Sequence, residues 1–153
     1  MRLLALGDVH GCLTALRTLA DFVPFRPDDL LVALGDYVDR GPDSRGVLDW
    51  MIDYGKRAKL VPLIGNHELM LQRSRIDPNA RNGWLMAGGF ECLISYSDGT
   101  RPGRLEDIPE AHWAFLDACV PCYESDHHIF VHANLEPQTS LEEQSEQWLC
   151  WKR

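Results

Sequence analysis

Three times in the first half of this chain an apolar run stops at a glycine followed by Asp or Asn, and each time a helical pattern comes next. Leu3 to Leu6 leads into Gly7-Asp8-Val9-His10-Gly11, and Leu30 to Leu34 leads into Gly35-Asp36-Tyr37-Val38-Asp39-Arg40-Gly41. Leu60 to Ile64 leads into Gly65-Asn66-His67-Glu68. Short apolar runs bounded by turn residues read as buried strands. Leu13, Leu16, Leu19 and Phe22 then recur at helical spacing as far as Pro24. Val47, Leu48, Met51 and Ile52 mark a second helix ending around Gly55, and Leu69 to Leu71 a third. Strand alternating with helix predicts an α/β layer with a parallel core, and ligands in such folds bind at the strand ends. The middle stretch is therefore the pivot: Asp36 is read as a ligand shared by two metal ions and Arg40 as a phosphate grip.

The second half is less regular. Asp77-Pro78-Asn79 breaks the chain, and the segment from Trp84 through Gly88-Gly89 to Tyr96 ends in a turn at Asp98-Gly99. Pro109 to Cys119 reads as a helix, Tyr123 to Ser125 with His128 to Val131 as paired strands, and Ser140 to Trp151 as a last helix. Pro62 inside the third strand implies an edge position or a ladder bond that is not needed. At 153 residues one domain, 1–153, is the expectation. The net charge of −8 argues against a nucleic-acid groove and against an anionic membrane surface, so any phosphate must be attracted locally. Five cysteines, an odd number, and an N-terminal apolar run too short for a signal sequence point to reduced thiols in the cytoplasm.

Four strand ends thus offer oxygen or imidazole ligands: Asp8 and His10, then Asp36, Asp39 and Arg40, then Asn66 and His67, then His132. This donor set suits divalent Mn, Fe or Zn rather than a structural thiolate site. Two metals bridged by one carboxylate can activate water for in-line attack at phosphorus, and arginine matches phosphate oxygens with a planar fork.

The three motifs, in this order and each after a strand, resemble the metallophosphoesterases of the serine/threonine phosphoprotein phosphatase type. That group includes bacterial members and the related symmetrical diadenosine tetraphosphate hydrolases. The later segments Val131-His132-Ala133 and Trp151-Lys152-Arg153 resemble looser motifs of the same family. The resemblance implies a sandwich of two mixed β-sheets flanked by helices, with the second sheet incomplete in this chain. It implies two divalent cations, Mn first, with Fe, Zn or Ni as alternatives. Asp8 and His10 would hold one, Asn66 and His132 the other, and Asp36 both. His67 would be the general acid paired with Asp39, and Arg40 and Arg153 would grip the phosphate. The implied chemistry is hydrolysis of a phosphate ester by hydroxide held between the metals, with phosphorylated protein or a small phosphate ester as substrate. Serine/threonine protein phosphatase is the first reading. A dinucleoside polyphosphate hydrolase, with a nucleoside pocket near Trp84 to Tyr96, is the second, and a non-catalytic phosphate-binding module the third. The oligomeric state stays open.

Two departures from the family pattern stand out. Asn134 takes the place of a glycine, and no Gly-His-Thr-like segment follows to complete the second metal site. The expectation is a fragment, or a second metal held by fewer protein ligands, together with an unpaired sheet edge and exposed apolar surface. Other features carry plainer readings. Cys119 and Cys122 form C-x-x-C but close a helix rather than open one, so buried thiols are expected. His112, His127 and His128 are read as packing or solvent-facing. Trp148 and Trp151 are read as a helix face on the core, and Glu142-Glu143 as a solvated face.

Overall fold

The computed structural model describes residues 2–152. Strands β1 (Leu3–Leu6), β2 (Leu30–Ala33) and β3 (Lys59–Pro62) form a parallel sheet in that order. Helices α1 (Leu13–Phe22) and α2 (Ser44–Arg57) are the two crossovers. Leu6, Ala33 and Pro62 stand opposite one another, so the three loops that follow leave the sheet side by side. The register thereby brings motifs from distant parts of the sequence to one edge.

Local chemistry explains the element boundaries. The Asp43 carboxylate caps α2 by accepting from the Gly46 N–H at 2.8 Å, and Lys56 and Arg57 close the helix where its dipole favours cations. Val47, Leu48, Met51 and Tyr54 form the buried stripe of that helix. At Pro62 the ladder is not broken. The Leu63 N–H donates to Ala33, and the Pro62 carbonyl accepts from Val120, so the proline nitrogen faces the outer side of β3.

Helices α3 (Asn66–Ile76) and α4 (Pro78–Trp84) follow β3. A widened turn, Leu85–Gly89, bends the chain into α5 (Phe90–Ile94) at Gly88, whose φ of 120° only glycine adopts readily. Helix α6 spans Glu110–Asp117, two residues shorter at its C-terminal end than the pattern through Cys119 predicted. The second sheet is an antiparallel hairpin of β4 (Cys122–Glu124) and β5 (Ile129–Val131).

The predicted last helix is a correction. A single helical turn at Leu141–Glu143 and another at Gln147–Trp151 are separated by extended backbone at Gln144. The Gln144 side chain bonds the Glu136 N–H and the carbonyls of Glu136 and Thr139, which ties the chain into a loop. The final turn buries Leu149 and Cys150, while Trp148 and Trp151 are half-buried. His112 packs in the interior, bonded to the Tyr96 hydroxyl and to Asp49. Cys119 and Cys122 are free and half-buried, and burial pushes both thiols up, which suits packing rather than redox chemistry.

The core runs between the sheet and the helices through Val38, Leu48, Met51, Leu71, Trp84 and Leu116. The apolar stripe of α1 is covered only at its start: Leu13 and Leu16 are buried, whereas Phe22 is 84% exposed. Strand β1 pairs with β2 on one side and leaves Leu3 exposed. No described helix is long and apolar enough to cross a membrane.

Candidate active site

The loops after β1 and β2 are stitched together by backbone bonds. The Val9 and His10 N–H groups both donate to the Asp36 carbonyl, and Gly11 donates to Tyr37. A Cβ on Gly41 would lie 1.9 Å from the His10 carbonyl oxygen, so only glycine permits this approach. The loops carry unusual backbone angles: His10, Asp36, Asp39 and Arg40 all have positive φ. Such conformations in non-glycine residues cost energy and collect at functional sites.

What holds the middle loop in this shape is Glu68, buried at the start of α3. Its Oε1 accepts from the Tyr37 and Val38 N–H groups at 2.8 and 3.3 Å, and its Oε2 from Asp36 and Gly65 at 2.7 and 3.0 Å. Burial and the charge of Asp36 push its carboxyl up to about 7, against the pull of these bonds. Gly65 is equally constrained, because a Cβ there would stand 2.3 Å from the Asp36 carboxylate.

Asp36 is the centre of the site. It is fully buried, its Oδ1 accepts from the His67 N–H at 3.1 Å, and its Oδ2 has no hydrogen-bond partner. His10 Nε2 lies 3.4 Å from Oδ2 and His132 Nε2 3.5 Å from Oδ1. The Nδ1 atoms of these two histidines sit 2.9 Å from the Val38 carbonyl and 2.7 Å from the Leu34 carbonyl. A carbonyl only accepts, so each Nδ1 carries the proton and each Nε2 presents a lone pair inward. His132 Nε2 also faces Asn66 Oδ1 at 3.1 Å. The His10 and His132 lone pairs therefore face the Asp36 carboxylate, whose Oδ2 has no donor of its own, an arrangement that a cation satisfies. Backbone-anchored imidazoles of this kind are the usual orientation for metal ligands.

The candidate ligand atoms fall into two groups that share Asp36. One contains His10, Asp36 and His67, and the other Asp8, Asp36 and His132. The family resemblance pairs Asp8 with His10; here the exposed Asp8 carboxylate lies with His132. The residues present fit divalent cations: mixed carboxylate, imidazole and amide oxygen, with no thiolate among them.

Beside this centre, His67 Nδ1 lies 2.7 Å from Asp39 Oδ2, with both residues buried. Trp84 Nε1 donates to the same carboxylate at 2.9 and 3.0 Å. Burial pushes the Asp39 carboxyl up, and the bonds from His67 and Trp84 draw it back. The rings of His67 and His10 meet edge to face at 4.7 Å. Arg40 is exposed at the mouth, its Nη1 3.2 Å from His10 Nε2. Its N–H donates to the Gly88 carbonyl, which fixes the 85–89 turn against it. Arg153 lies outside the described residues.

Sequence reasoning missed two residues. Glu68 closes the third motif, and its position alone assigns it no role there; the signal available is a glutamate three residues after a helix-opening glycine, where capping carboxylates occur. Trp84 was read as part of a nucleoside pocket with Tyr96. Both rings are buried instead, one bonded to Asp39 and the other to His112, so they do not line an open pocket. Trp84→Phe should lower stability by about 1–3 kcal/mol through the lost bond to a buried carboxylate. It should slow turnover by about 10-fold, because Asp39 no longer holds His67 in place. Urea unfolding and steady-state rates check both, and a wild-type rate would show that the indole only packs.

A model of the calcineurin-like phosphoesterase family matches residues 1–153. The chain belongs to that family. It is 46% identical over 144 residues to a symmetrical bis(5'-nucleosyl)-tetraphosphatase of Shewanella sp. strain W3-18-1, covering 89% of this chain and 45% of that protein. It is 39% identical over 84 residues to serine/threonine-protein phosphatase 1 of Salmonella typhimurium, covering 54% and 37% of the two chains. A solved structure described as a proposed diadenosine tetraphosphatase superposes with a TM-score of 0.67 at 25% identity, over 97% of this chain and 61% of the other. This chain therefore spans about half the length of the Shewanella relative. Membership of this calcineurin-like phosphoesterase family agrees with the mixed α/β architecture that the motifs implied.

Proposed function

We propose that this chain carries, in one domain, the catalytic core of a metal-dependent hydrolase that splits dinucleoside polyphosphates symmetrically. The observation that carries the hydrolytic reading is the buried Asp36 carboxylate, with one oxygen unpartnered and lone pairs of His10 and His132 turned toward it. The substrate reading is supported by the longer and closer match to a symmetrical bis(5'-nucleosyl)-tetraphosphatase than to a protein phosphatase. The protein phosphatase, the first expectation from sequence, is thus the weaker of the two.

In this reading Asp8, His10, Asp36, Asn66 and His132 hold two divalent cations, Mn by preference. Bound there, such ions supply an acidified water and neutralise phosphate charge. The protein's own groups do the remainder. Arg40 reaches over the mouth from a fixed backbone and takes phosphate oxygens on its guanidinium. The N-terminus of α3 turns its positive end to the Asp36 carboxylate, which accepts from the His67 N–H. His67, held through Nδ1 by Asp39, carries a proton on Nε2 toward the departing oxygen.

Diadenosine tetraphosphate and a phosphoserine peptide, offered separately to the purified chain with Mn and resolved by chromatography, test this. The expected result is ADP as the product of the dinucleotide, at a rate at least about 100-fold above that of Asp36→Asn. Turnover of the peptide without the dinucleotide, or release of ATP and AMP, would overturn it.

A further inference from the structure

A second cleft lies at the other end of the molecule from the catalytic loops. Helices α1 and α2 both start beside those loops, and the cleft opens where they end, next to Ala58 at the entry to β3. Its volume is about 480 Å³, within the range of small-molecule sites. The floor is aromatic. Trp50 and Tyr54 stack with ring centroids 5.2 Å apart and planes at 15°. Phe25 meets both edge-on, at 6.1 and 5.3 Å.

The rim is cationic. Arg17, Arg26 and Arg57 all line the cleft and all are exposed. Among the described residues, the arginines in ion pairs with acidic side chains are Arg2, Arg73, Arg75 and Arg101; Arg2 reaches the lining residue Pro24 but is paired with Asp29, and none of the four lines the cleft. Asp21 is the acidic residue of the lining. One further group is unexplained: the Tyr54 hydroxyl is buried and has no hydrogen-bond partner, although Tyr54 itself is only 3% exposed. A buried hydroxyl without a partner is costly unless something bonds it.

We propose that this cleft is a nucleotide-binding site separate from the metal-binding loops, taking a base against the aromatic floor and phosphate on Arg17, Arg26 and Arg57. Tyr54 is buried and stacked on Trp50, so the half-buried rings of Trp50 and Phe25 are the ones that a planar base can stack on. Guanidinium forks match phosphate oxygens, and three of them can hold more than one anionic group. The helix ends here present carbonyls, which oppose an anion by about 0.3–1 kcal/mol each, less than the attraction of the three arginines, whose lining carries a net charge of +2 once Asp21 is counted. On a chain of net charge −8, the general field does not draw anions here, so the attraction is local to these side chains. The inference stands apart from the catalytic reading, because a chain that hydrolysed only phosphoproteins would keep this cleft.

The test is equilibrium binding of fluorescent N-methylanthraniloyl-ADP and of unlabelled ADP to the whole chain in EDTA, which silences the metal loops. Saturable binding to the wild type is expected, weakened about 10-fold or more in R17A/R57A and in Trp50→Ala. Arg40→Ala should bind as the wild type does. Inorganic phosphate and adenosine should each compete at least about 10-fold more weakly than ADP, since each supplies half of the contacts. Circular dichroism melts of R17A/R57A should match the wild type, as both side chains are exposed. Undiminished binding in R17A/R57A, loss of binding in Arg40→Ala, or phosphate competing as well as ADP would overturn the proposal. So would the absence of saturable binding.

Discussion

Glu68→Ala should cost this protein about 4 kcal/mol or more, enough to unfold a marginal domain. The reason lies in where the carboxylate sits. It is wholly buried and accepts from the backbone N–H groups of Gly65, Asp36, Tyr37 and Val38. Alanine leaves these donors without a partner, and each buried orphan costs about 1–3 kcal/mol unless water reaches it. Glu68→Gln tests the same point with little change of volume. Each carboxylate oxygen receives two N–H groups, so an amide must turn its own NH2 against one of the pairs. A loss of about 2–4 kcal/mol is expected for this variant. The loop that Glu68 braces is the one that presents Asp36, so Mn affinity should fall by about 10- to 100-fold in whatever protein remains folded. Urea unfolding and calorimetric titration with Mn give the two numbers. A Glu68→Ala protein that melts with the wild type would remove Glu68 from this role.

The same residue shows where sequence reading stops. Strand β1 could be read to the residue and helix α1 to within two residues of its end, because Leu3 to Leu6 and the Leu13, Leu16, Leu19, Phe22 stripe are local patterns. The convergence of Asp8, Asp36 and Asn66 could be anticipated because parallel strands in register end together, whereas His132 follows the separate antiparallel hairpin and is placed with them by the family resemblance alone. The bond from Glu68 to a loop about thirty residues earlier is not local. Neither is the reach of Trp84 across 45 residues to Asp39. Periodicity records which face of an element is apolar, but not which buried polar group answers which donor. The last helix failed for a related reason. Its residues favour a helix, but the Gln144 side chain satisfies Glu136 and Thr139 better in a loop, and tertiary bonding overrode propensity. The apolar stripe of α1 is a further case: the pattern predicts a buried face, and Leu19 and Phe22 are open.

His67→Asn should slow hydrolysis by an amount that depends on the leaving group. General acid catalysis contributes about 10²–10⁴-fold, and its share is largest where the departing oxygen is a strong base. An alkoxide, as from phosphoserine, cannot leave well without a proton; a phosphate or a p-nitrophenolate can. The geometry places one imidazole for this work. His67 Nδ1 is engaged by Asp39 at 2.7 Å, and the ring stands edge to face with His10 beside the Asp36 carboxylate. The variant should therefore lose about 10²–10⁴-fold on an alkyl phosphate and about 10-fold or less on diadenosine tetraphosphate or p-nitrophenyl phosphate. Asp39→Asn should show the same split in weaker form, since it acts only through the orientation of His67. Asparagine at 67 also removes one of the side chains grouped with His10 and Asp36, so the rates are to be compared at saturating Mn. If all three substrates slow equally under that condition, His67 serves metal or phosphate binding rather than proton transfer. If the alkyl phosphate alone collapses, the proton passes through His67, and a chain adapted to phosphoanhydrides would tolerate its loss far better than one adapted to phosphoproteins.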